Sequence, residues 1–270
     1  MDSIRQAVER ARAAESTLRN DASGLADLAG MTRQDPFDQV TEVLLDQAHL
    51  ESTRIVAHGI SNQDGRCYDM LRTQVLQELD QNDWRFLAVT SPTAGCGKTV
   101  TACNLAMSIA RLPGRSAFLV DLDLRKPMVA KYLGLQKGGG VLSVLENPAT
   151  LSAAMLQVEI NQSRFLVLPG SEFCAASSEW MASQTMEALL KTIKSDFRTR
   201  VVIFDLPPLL LGDDVISILP RMDAALLVTS VGNTSISDIK ECQRHLRRTP
   251  VVRVVVNKAT ETAGSYYGYY

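Results

Sequence analysis

The sequence predicts an α/β fold in which a doubly wound, mostly parallel sheet carries helices on both faces. Three observations support this prediction. Short runs of apolar residues, such as Phe86-Leu-Ala-Val89 and Val201-Val-Ile-Phe204, alternate with longer segments of helical periodicity. Continuously apolar strands are typical of a parallel sheet that is buried on both faces. A glycine-containing loop, 91–99, stands between the first such strand and the next helix.

The pattern divides the chain into three predicted parts. Apolar residues at helical spacing within 1–20, followed by a polar stretch over 20–37, predict a helical extension with a linker over residues 1–60. The α/β domain is predicted over 61–260. The last segment, 261–270, is a tyrosine-rich tail.

Helix-type and strand-type segments alternate through the predicted domain. A helix with Tyr68, Leu71, Val75 and Leu79 on one face precedes the first strand. We then predict, in chain order, strand 85–90, helix 98–111, strands 116–121 and 164–168, helix 183–196, strand 200–205, helix 213–219, strand 223–229, helix 235–247 and strand 251–256. Ligands of such folds bind outside the carboxyl ends of the strands, so the residues that follow the strands are the candidates for a site.

Composition restricts the partners and the compartment. The 270 residues, 46% hydrophobic and 21% charged, suit one sizeable domain with an extension. A net charge of −2 predicts no nucleic-acid partner. Five cysteines without a CxxC pair predict free thiols in a reducing compartment, and therefore a cytoplasmic protein. No apolar run approaches the roughly 20 residues of a membrane-spanning helix.

The loop 91–99 has the residues of a phosphate-binding loop. Gly95 and Gly97 allow backbone amides to approach phosphates, which the positive end of the following helix also attracts. Lys98 would neutralise β- and γ-phosphate charge, and the Thr99 hydroxyl would bind Mg²⁺. We predict that the nucleotide contacts Gly95, Cys96, Gly97, Lys98, Thr99 and Val100. The pattern GxxxxGK[ST] fails only at its first position, where Pro92 stands.

Three aspartates follow predicted strands. Asp121 and Asp123 come at the end of one strand, and alternation directs both to the same side of the extended chain. Asp205 ends another apolar strand and is expected to hold Mg²⁺. We predict a metal site formed by Thr99, Asp121 and Asp205. Near the last strand, Asn257 is a weaker candidate for contact with a nucleotide base.

Together these residues resemble the bacterial tyrosine kinases of polysaccharide export, a cytoplasmic family unrelated in fold to eukaryotic protein kinases. The resemblance rests on the loop at 91–99, the strand end Asp-Leu-Asp-Leu-Arg-Lys-Pro at 121–127, the single Asp205 and the tyrosine-rich C-terminus. It implies a P-loop NTPase fold related to MinD and ParA, with ATP and Mg²⁺ as nucleotide and metal.

The resemblance also implies a tyrosine autokinase activity and roles for particular residues. Lys98 and Arg125 would stabilise charge on the transferred phosphoryl group, and either Asp121 or Asp123 would accept the proton of the tyrosine hydroxyl. The implied phosphoacceptors are Tyr266, Tyr267, Tyr269 and Tyr270.

The partners that the resemblance implies are a membrane polysaccharide co-polymerase acting as activator, further copies of the chain, and a cognate tyrosine phosphatase. The protein would then be recruited to the inner face of the cell membrane and regulate exopolysaccharide or capsule synthesis.

Two features depart from the pattern of that family. A Glu-x-x-Arg-x-x-Arg pattern, which packs subunits into a ring, usually stands on the helix before the first strand. Here Arg66, Asp69 and Arg72 occupy the three places, so only Arg72 fits and ring assembly is in doubt. Cys96 stands where many relatives carry an acidic residue, and it is either a redox-sensitive thiol or simply a small tolerated residue.

Two other functions compete with the kinase. A positioning ATPase of the ParA or MinD type has the same fold, but the lysine that such a protein needs near the start of the loop would fall at Thr93. A catalytically silent regulator of a polysaccharide co-polymerase would bind ATP without transferring phosphate. ATP hydrolysis without phosphotyrosine would favour the first, and nucleotide binding without turnover the second.

Overall fold

A computed structural model of the chain describes residues 40–59, 65–136, 138–170, 172–197 and 200–259. The helix predicted within 1–20, the linker over 20–37 and the tyrosine-rich tail lie outside these residues.

The described residues form one sheet of eight strands. The strands are β1 (Thr41–Leu44), β2 (Phe86–Thr90), β3 (Ala117–Asp121), β4 (Leu156–Ile160), β5 (Ser163–Leu168), β6 (Val201–Asp205), β7 (Ala224–Ser230) and β8 (Val251–Asn257). Their spatial order is β1-β4-β5-β3-β6-β2-β7-β8. Every neighbouring pair is parallel except β4 and β5, which pair antiparallel. The predicted doubly wound, mostly parallel sheet is therefore confirmed.

The helices of the described residues connect these strands. They are α1 (Gln47–Ser52), α2 (Arg66–Gln81), α3 (Lys98–Ala110), α4 (Val129–Leu133), α5 (Val141–Glu146), α6 (Leu151–Ala154), α7 (Ser177–Ala182), α8 (Gln184–Asp196), α9 (Asp214–Ile218) and α10 (Ile236–His245). Among these helices, none combines the length and the apolar character that a membrane span requires.

The core surrounds four adjacent strands of the sheet. Every residue of β2, β3, β6 and β7 is buried, as expected for strands with helices on both faces. Helix α3 is buried along most of its length, so its start is firmly supported by the core. The residues at the carboxyl ends of these strands are therefore held by rigid elements.

The folded unit begins earlier than the predicted boundary at residue 60. Strand β1 pairs with β4, and Leu50 of α1 is fully buried, so the structure places residues from Val40 onward with the sheet. Strand β1 has only four residues and none is buried, which explains why its sequence carries little strand signal.

The departure at Asp69 has a structural counterpart between α2 and α3. Asp69 Oδ1 accepts hydrogen bonds from Ser108 Oγ at 2.6 Å, and from Arg72 Nη1 and Arg111 Nη1 at 3.1 Å each. Asp69 and Arg72 thus take part in a polar network within the chain, which ties the two helices together.

Candidate functional site

The phosphate-binding loop connects β2 to α3, as its sequence predicts. Gly95 and Gly97 have φ angles of 79° and 94°, in the left-handed region that favours glycine. A Cβ atom on Gly97 would also collide with the side chain of Asn257. The loop ends directly at Lys98, the first residue of the 13-residue helix α3, so the helix start faces the loop.

Lys98 joins the loop to two of the predicted aspartates. Its Nζ lies 2.8 Å from Asp123 Oδ2 and 3.3 Å from Asp205 Oδ1, and the lysine side chain is only 11% exposed. Burial alone would lower the pKa of Lys98, but the Asp205 and Asp123 carboxylates raise it above its ordinary value. Lys98 therefore carries a positive charge at the base of the site.

Asp205 occupies the centre of this arrangement. Its Oδ2 accepts a hydrogen bond from Thr99 Oγ1 at 2.6 Å, and in the sheet it lies directly opposite Asp121 of the neighbouring strand β3. Both carboxylates are fully buried. Burial raises the pKa of each, and the charge of Asp205 raises that of Asp121 further.

Asp121 and Asp123 have different surroundings. Asp121 Oδ2 accepts from the backbone N–H groups of Met128 and Val129 at 3.0 Å, and its Oδ1 accepts from the N–H of Asp123 at 3.2 Å. Both oxygens of Asp121 thus hold the turn after β3. Asp123, in contrast, lines the cleft beside Lys98, so only the second aspartate faces the site directly.

Arg125 lies at the rim of the site and contacts residues that the sequence did not single out. Its Nε is 3.1 Å from Asp214 Oδ2 and donates a hydrogen bond of 2.8 Å to Ser177 Oγ. Ser177 carried no sequence signal. Asp214 could have been noticed as one of two aspartates that follow a glycine shortly after the Asp205 strand end.

Two asparagines brace the loop from the far side. Asn233 Nδ2 donates to the Ala94 carbonyl at 2.9 Å, and Asn257 Nδ2 donates to the Cys96 carbonyl at 2.9 Å. Asn257, predicted to contact a base, is thus placed against the loop backbone. Sequence reasoning missed Asn233, which follows β7 in a short turn.

Cys96 is buried within this brace. Its Sγ lies 3.5 Å from Thr234 Oγ1 and 3.6 Å from Thr93 Oγ1. Burial raises the pKa of the Cys96 thiol, but hydrogen bonds from Thr234, Thr93 and Ser230 outweigh burial and lower it overall. Thr93 stands at the position where a ParA- or MinD-type ATPase needs a lysine. Its hydroxyl lies beside the Cys96 thiol.

Part of this site lines one cleft of about 270 Å³. It is lined by Ala94, Gly95, Gly97, Lys98, Thr99, Val100, Asp123, Arg125, Lys126, Met128, Tyr132, Pro207, Pro208, Leu211, Gly212 and Asp214. The loop and the start of α3 form one wall, and the segments that follow β3 and β6 form the other.

Comparison with known protein families identifies the domain. Residues 87–266 match the family model of the CobQ/CobB/MinD/ParA nucleotide-binding domain. The chain belongs to this family. The phosphate-binding loop, the start of α3 and the strand-end aspartates all lie within the matched residues.

Relatives in this family include bacterial tyrosine kinases. The chain is 29% identical over 202 residues to the tyrosine-protein kinase CpsD of Streptococcus pneumoniae, covering 74% of this chain and 86% of CpsD. It is 28% identical over 205 residues to the tyrosine-protein kinase YwqD of Bacillus subtilis, covering 75% and 84%. It spans only 26% of the EpsB protein of Ralstonia solanacearum, to which it is 29% identical. The predicted resemblance to bacterial tyrosine kinases is confirmed.

Solved structures confirm the fold of the CobQ/CobB/MinD/ParA domain. The chimeric protein CapA2B2 matches with a TM-score of 0.69 at 20% identity, covering 84% of this chain and 97% of the chimera. The kinase domain of Escherichia coli ETK matches with a TM-score of 0.64 at 21% identity, covering 77% and 82%.

The donor set of this nucleotide-binding domain fits Mg²⁺ bound together with a nucleotide. Thr99 and Asp123 line the cleft with hard oxygen atoms, and the buried Asp205 carboxylate accepts a hydrogen bond from the Thr99 hydroxyl. In the described part of the chain, no three His, Cys, Asp or Glu side chains are arranged to hold a metal by themselves. Mg²⁺ is commonly held by one or two carboxylates and the phosphates of a substrate, which matches this arrangement.

Proposed function

We propose that the protein is an ATP- and Mg²⁺-dependent protein-tyrosine kinase that phosphorylates tyrosines at its own C-terminus. The observation that carries the proposal is the position of Lys98, which pairs with Asp123 and Asp205 in the cleft of the phosphate-binding loop. The coverage of CpsD and YwqD over more than four fifths of their lengths supports a kinase.

The residues of the loop wall would hold the nucleotide. Lys98 and the amides of the loop bind the phosphates, and Thr99 with Asp205 holds Mg²⁺, which neutralises phosphate charge when it is bound. Asp121 has both oxygens engaged by backbone amides, so it supports the metal site by fixing the turn after β3. The geometry thus favours Asp205 over Asp121 as the direct metal ligand.

The transfer needs an acceptor for the tyrosine proton. A phenol has a pKa of about 10 and is a weak nucleophile at neutral pH, so a nearby carboxylate assists the attack. The tyrosine oxygen bonds to the γ-phosphorus of ATP, the bond from that phosphorus to the β,γ-bridging oxygen breaks, and the carboxylate takes the phenolic proton. Asp123 is the better candidate for this base because it faces the cleft.

We infer that the acceptors are Tyr266, Tyr267, Tyr269 and Tyr270. Four of the six tyrosines of the chain fall within its last five residues, after a Gly-Ser pair. A tail of this kind serves as a substrate for a neighbouring copy, so the proposal includes self-association. Each phosphate adds about −1.5 to −2 charges, and several in a row favour release of the tail.

The proposed partners follow from the kinase proposal. A membrane co-polymerase of polysaccharide synthesis would activate the kinase at the inner face of the membrane, and a phosphatase would reverse the modification. Support comes from the similarity to CpsD and from the relation of the fold to the CapA2B2 chimera. The process regulated in this way is exopolysaccharide or capsule synthesis.

Incubation of the purified protein with Mg²⁺ and ATP, followed by mass mapping of phosphotyrosine, tests the proposal. We expect phosphate on the C-terminal tyrosines of the wild type. Asp123→Asn keeps the shape of the side chain but removes the base, so phosphorylation falls by about 10²- to 10⁴-fold. Asp213→Asn is the matched control, because Asp213 is exposed and carries the same charge. Hydrolysis of ATP without phosphotyrosine in the wild type would indicate a positioning ATPase instead.

A further inference from the structure

A buried acidic group fixes Arg125 at the rim of the cleft. Besides the contacts of Nε with Asp214 and Ser177, Nη2 of Arg125 donates to Ser178 Oγ at 3.1 Å. The Ser177 hydroxyl in turn donates to Asp214 Oδ1. The side chain of Asp214 is only 3% exposed, whereas that of Arg125 is 46% exposed. One edge of the guanidinium is therefore anchored and the remainder is open.

The anchor joins segments that are far apart in the sequence. Ser177 begins α7, Asp214 begins α9, and Arg125 lies in the turn between β3 and α4. A carboxylate buried in this way is destabilising unless a cation and hydrogen-bond donors accompany it, so Arg125 and Ser177 are both required.

Gly212 leaves room for this anchor. A Cβ atom at position 212 would lie 2.8 Å from Asp214 Oδ2 and 3.7 Å from Arg125 Nη2. The chain after β6 thus approaches the Asp214–Arg125 pair closely, and a methyl group there would push against it.

Arg125 lies beside the proposed site of phosphoryl transfer. Arg125 lines the same cleft as Lys98 and Asp123. The hydrogen bonds of Arg125 to the residues that the structure describes come from Nε and Nη2, and none comes from Nη1. Because a guanidinium is planar, anchoring Nε and Nη2 also fixes the direction of the remaining donors. Such donors stabilise the charge that develops on phosphoryl oxygens during transfer.

We propose that Asp214, with Ser177, is a positioning residue that holds Arg125 in the orientation that binds the transferred phosphoryl group. This inference rests on the phosphoryl transfer proposed above. It assigns a role to residues outside the loop and the strand-end motifs.

The first test compares Asp214→Asn with Asp213→Asn. The two variants lose the same charge at adjacent positions, but only the first loses the anchor. We expect Asp214→Asn to lower the single-turnover rate of tyrosine phosphorylation at saturating ATP by about 10- to 100-fold, the range expected for a misplacement of about 1 Å. Affinity for Mg²⁺-ADP should remain within about twofold of the wild type, because Arg125 serves transfer and not ground-state binding.

A double-mutant cycle separates positioning from a general structural effect. Arg125→Ala should lower the rate as much as Asp214→Asn or more, and the combined variant should be no slower than Arg125→Ala alone. Calorimetry supplies a readout that needs no turnover. Wild type and Asp213→Asn should bind Mg²⁺-ADP more tightly when aluminium fluoride is added as a mimic of the phosphoryl group, whereas Asp214→Asn and Arg125→Ala should lose this gain.

Gly212→Ala and Ser177→Ala keep both charges and carry the test if Asp214→Asn fails to fold. Both should lose part of the gain with aluminium fluoride. The proposal is overturned if Asp214→Asn, or both of these variants, keep the full gain in Mg²⁺-ADP affinity with aluminium fluoride. It is also overturned if the rate of the combined variant falls by the product of the two single decreases. If the wild type hydrolyses ATP but phosphorylates no tyrosine, the kinase proposal is refuted but the positioning role of Asp214 is not. The double-mutant cycle is then measured on the rate of ATP hydrolysis.

Discussion

Thr99 and Asp205 are 106 positions apart in the sequence, yet the Thr99 hydroxyl donates a 2.6 Å hydrogen bond to the Asp205 carboxylate. The contact follows from the sheet order. Strands β2 and β6 are parallel neighbours with Val89 opposite Asp205, so the loop after β2 starts at the level at which β6 ends. Lys98 binds the same carboxylate. Asp205 thus joins the start of α3 to the sheet, in addition to its proposed role toward Mg²⁺.

The shared contacts of Asp205 give Lys98 a structural role that its sequence motif does not indicate. Lys98→Met should abolish phosphotyrosine, because it removes the charge that neutralises the transferred phosphoryl group. The variant should also unfold more easily, since Asp205 and Asp123 lose the cation that lies 3.3 and 2.8 Å away. Removing one partner of a buried pair costs about 3–5 kcal/mol. Thermal unfolding and phosphotyrosine mapping measure the two effects.

The control for this prediction combines Lys98→Met with Asp205→Asn. The double variant lacks Lys98 and one of its two carboxylate partners, so it should recover part of the lost stability while remaining inactive, because Asp123 still lacks its cation. A Lys98→Met protein with the unfolding temperature of the wild type would show that the ion pairs contribute little to stability.

Asn257 offers a test of two alternative roles. As a brace it holds the Cys96 carbonyl and therefore the shape of the loop, whereas as a base contact it would select adenine. We expect Asn257→Ala to weaken ATP and GTP binding equally, by about tenfold, which corresponds to about 1.4 kcal/mol for a lost hydrogen bond and a loosened loop. Equilibrium titration with both nucleotides measures this.

Asn233→Ala is the matched variant, because Asn233 braces the neighbouring Ala94 carbonyl from the end of β7. It should show the same equal loss. A loss of affinity for ATP alone in Asn257→Ala would restore the base contact that the sequence predicts.

The predictable parts of the fold are those with a strong local signal. The prediction agrees with the structure to within one residue for strand 116–121, observed as Ala117–Asp121, and for helix 98–111, observed as Lys98–Ala110. A continuous apolar run marks the strand, and the glycine loop marks the start of the helix. The meeting of Lys98 with the strand-end aspartates was also predictable, since parallel strands place their carboxyl ends at one edge.

The parts that escaped prediction depend on contacts distant in sequence. Strand β1 is stabilised by pairing with β4, more than a hundred residues later. Strand β4 itself, which pairs antiparallel with β5, has only two buried residues. Asn233 and Ser177 are ordinary turn and helix-start residues. Their roles arise only because the loop and Arg125 lie next to them.

Cys242 predicts a pH dependence of stability at alkaline pH. Its side chain is fully buried in α10, and burial, with the nearby Asp238 and Glu241, raises its pKa to about 12. A pKa that is raised in the folded state stabilises the protein below the ordinary value and ceases to do so as pH rises through the folded value. The free energy of unfolding of the wild type should therefore fall relative to Cys242→Ala above about pH 9, by at most about 1.4 kcal/mol per pH unit.

Urea unfolding of both proteins at pH 8, 9 and 10 in the presence of a reducing agent measures this difference. A difference that stays constant with pH would mean that the Cys242 thiol ionises equally in the folded and unfolded chains.

The tyrosine tail connects the proposed chemistry with self-association. Replacing Tyr266, Tyr267, Tyr269 and Tyr270 with Phe keeps the aromatic area and removes each acceptor hydroxyl. The variant should bind ATP as the wild type does, because these changes lie outside the loop and its braces, and it should lose most phosphotyrosine. Mass mapping after incubation with Mg²⁺ and ATP measures the phosphotyrosine content.

Light scattering before and after addition of Mg²⁺ and ATP then separates the two roles of the tail. Phosphates at about −1.5 to −2 charges each repel one another, so the wild type should dissociate when its tail is phosphorylated. The Phe variant has no acceptors there and should keep its size. If both proteins dissociate alike, ATP binding rather than tail phosphorylation controls assembly. If both proteins also carry equal phosphotyrosine, the acceptors are not in the tail. The remaining tyrosines of the chain are Tyr68 and Tyr132.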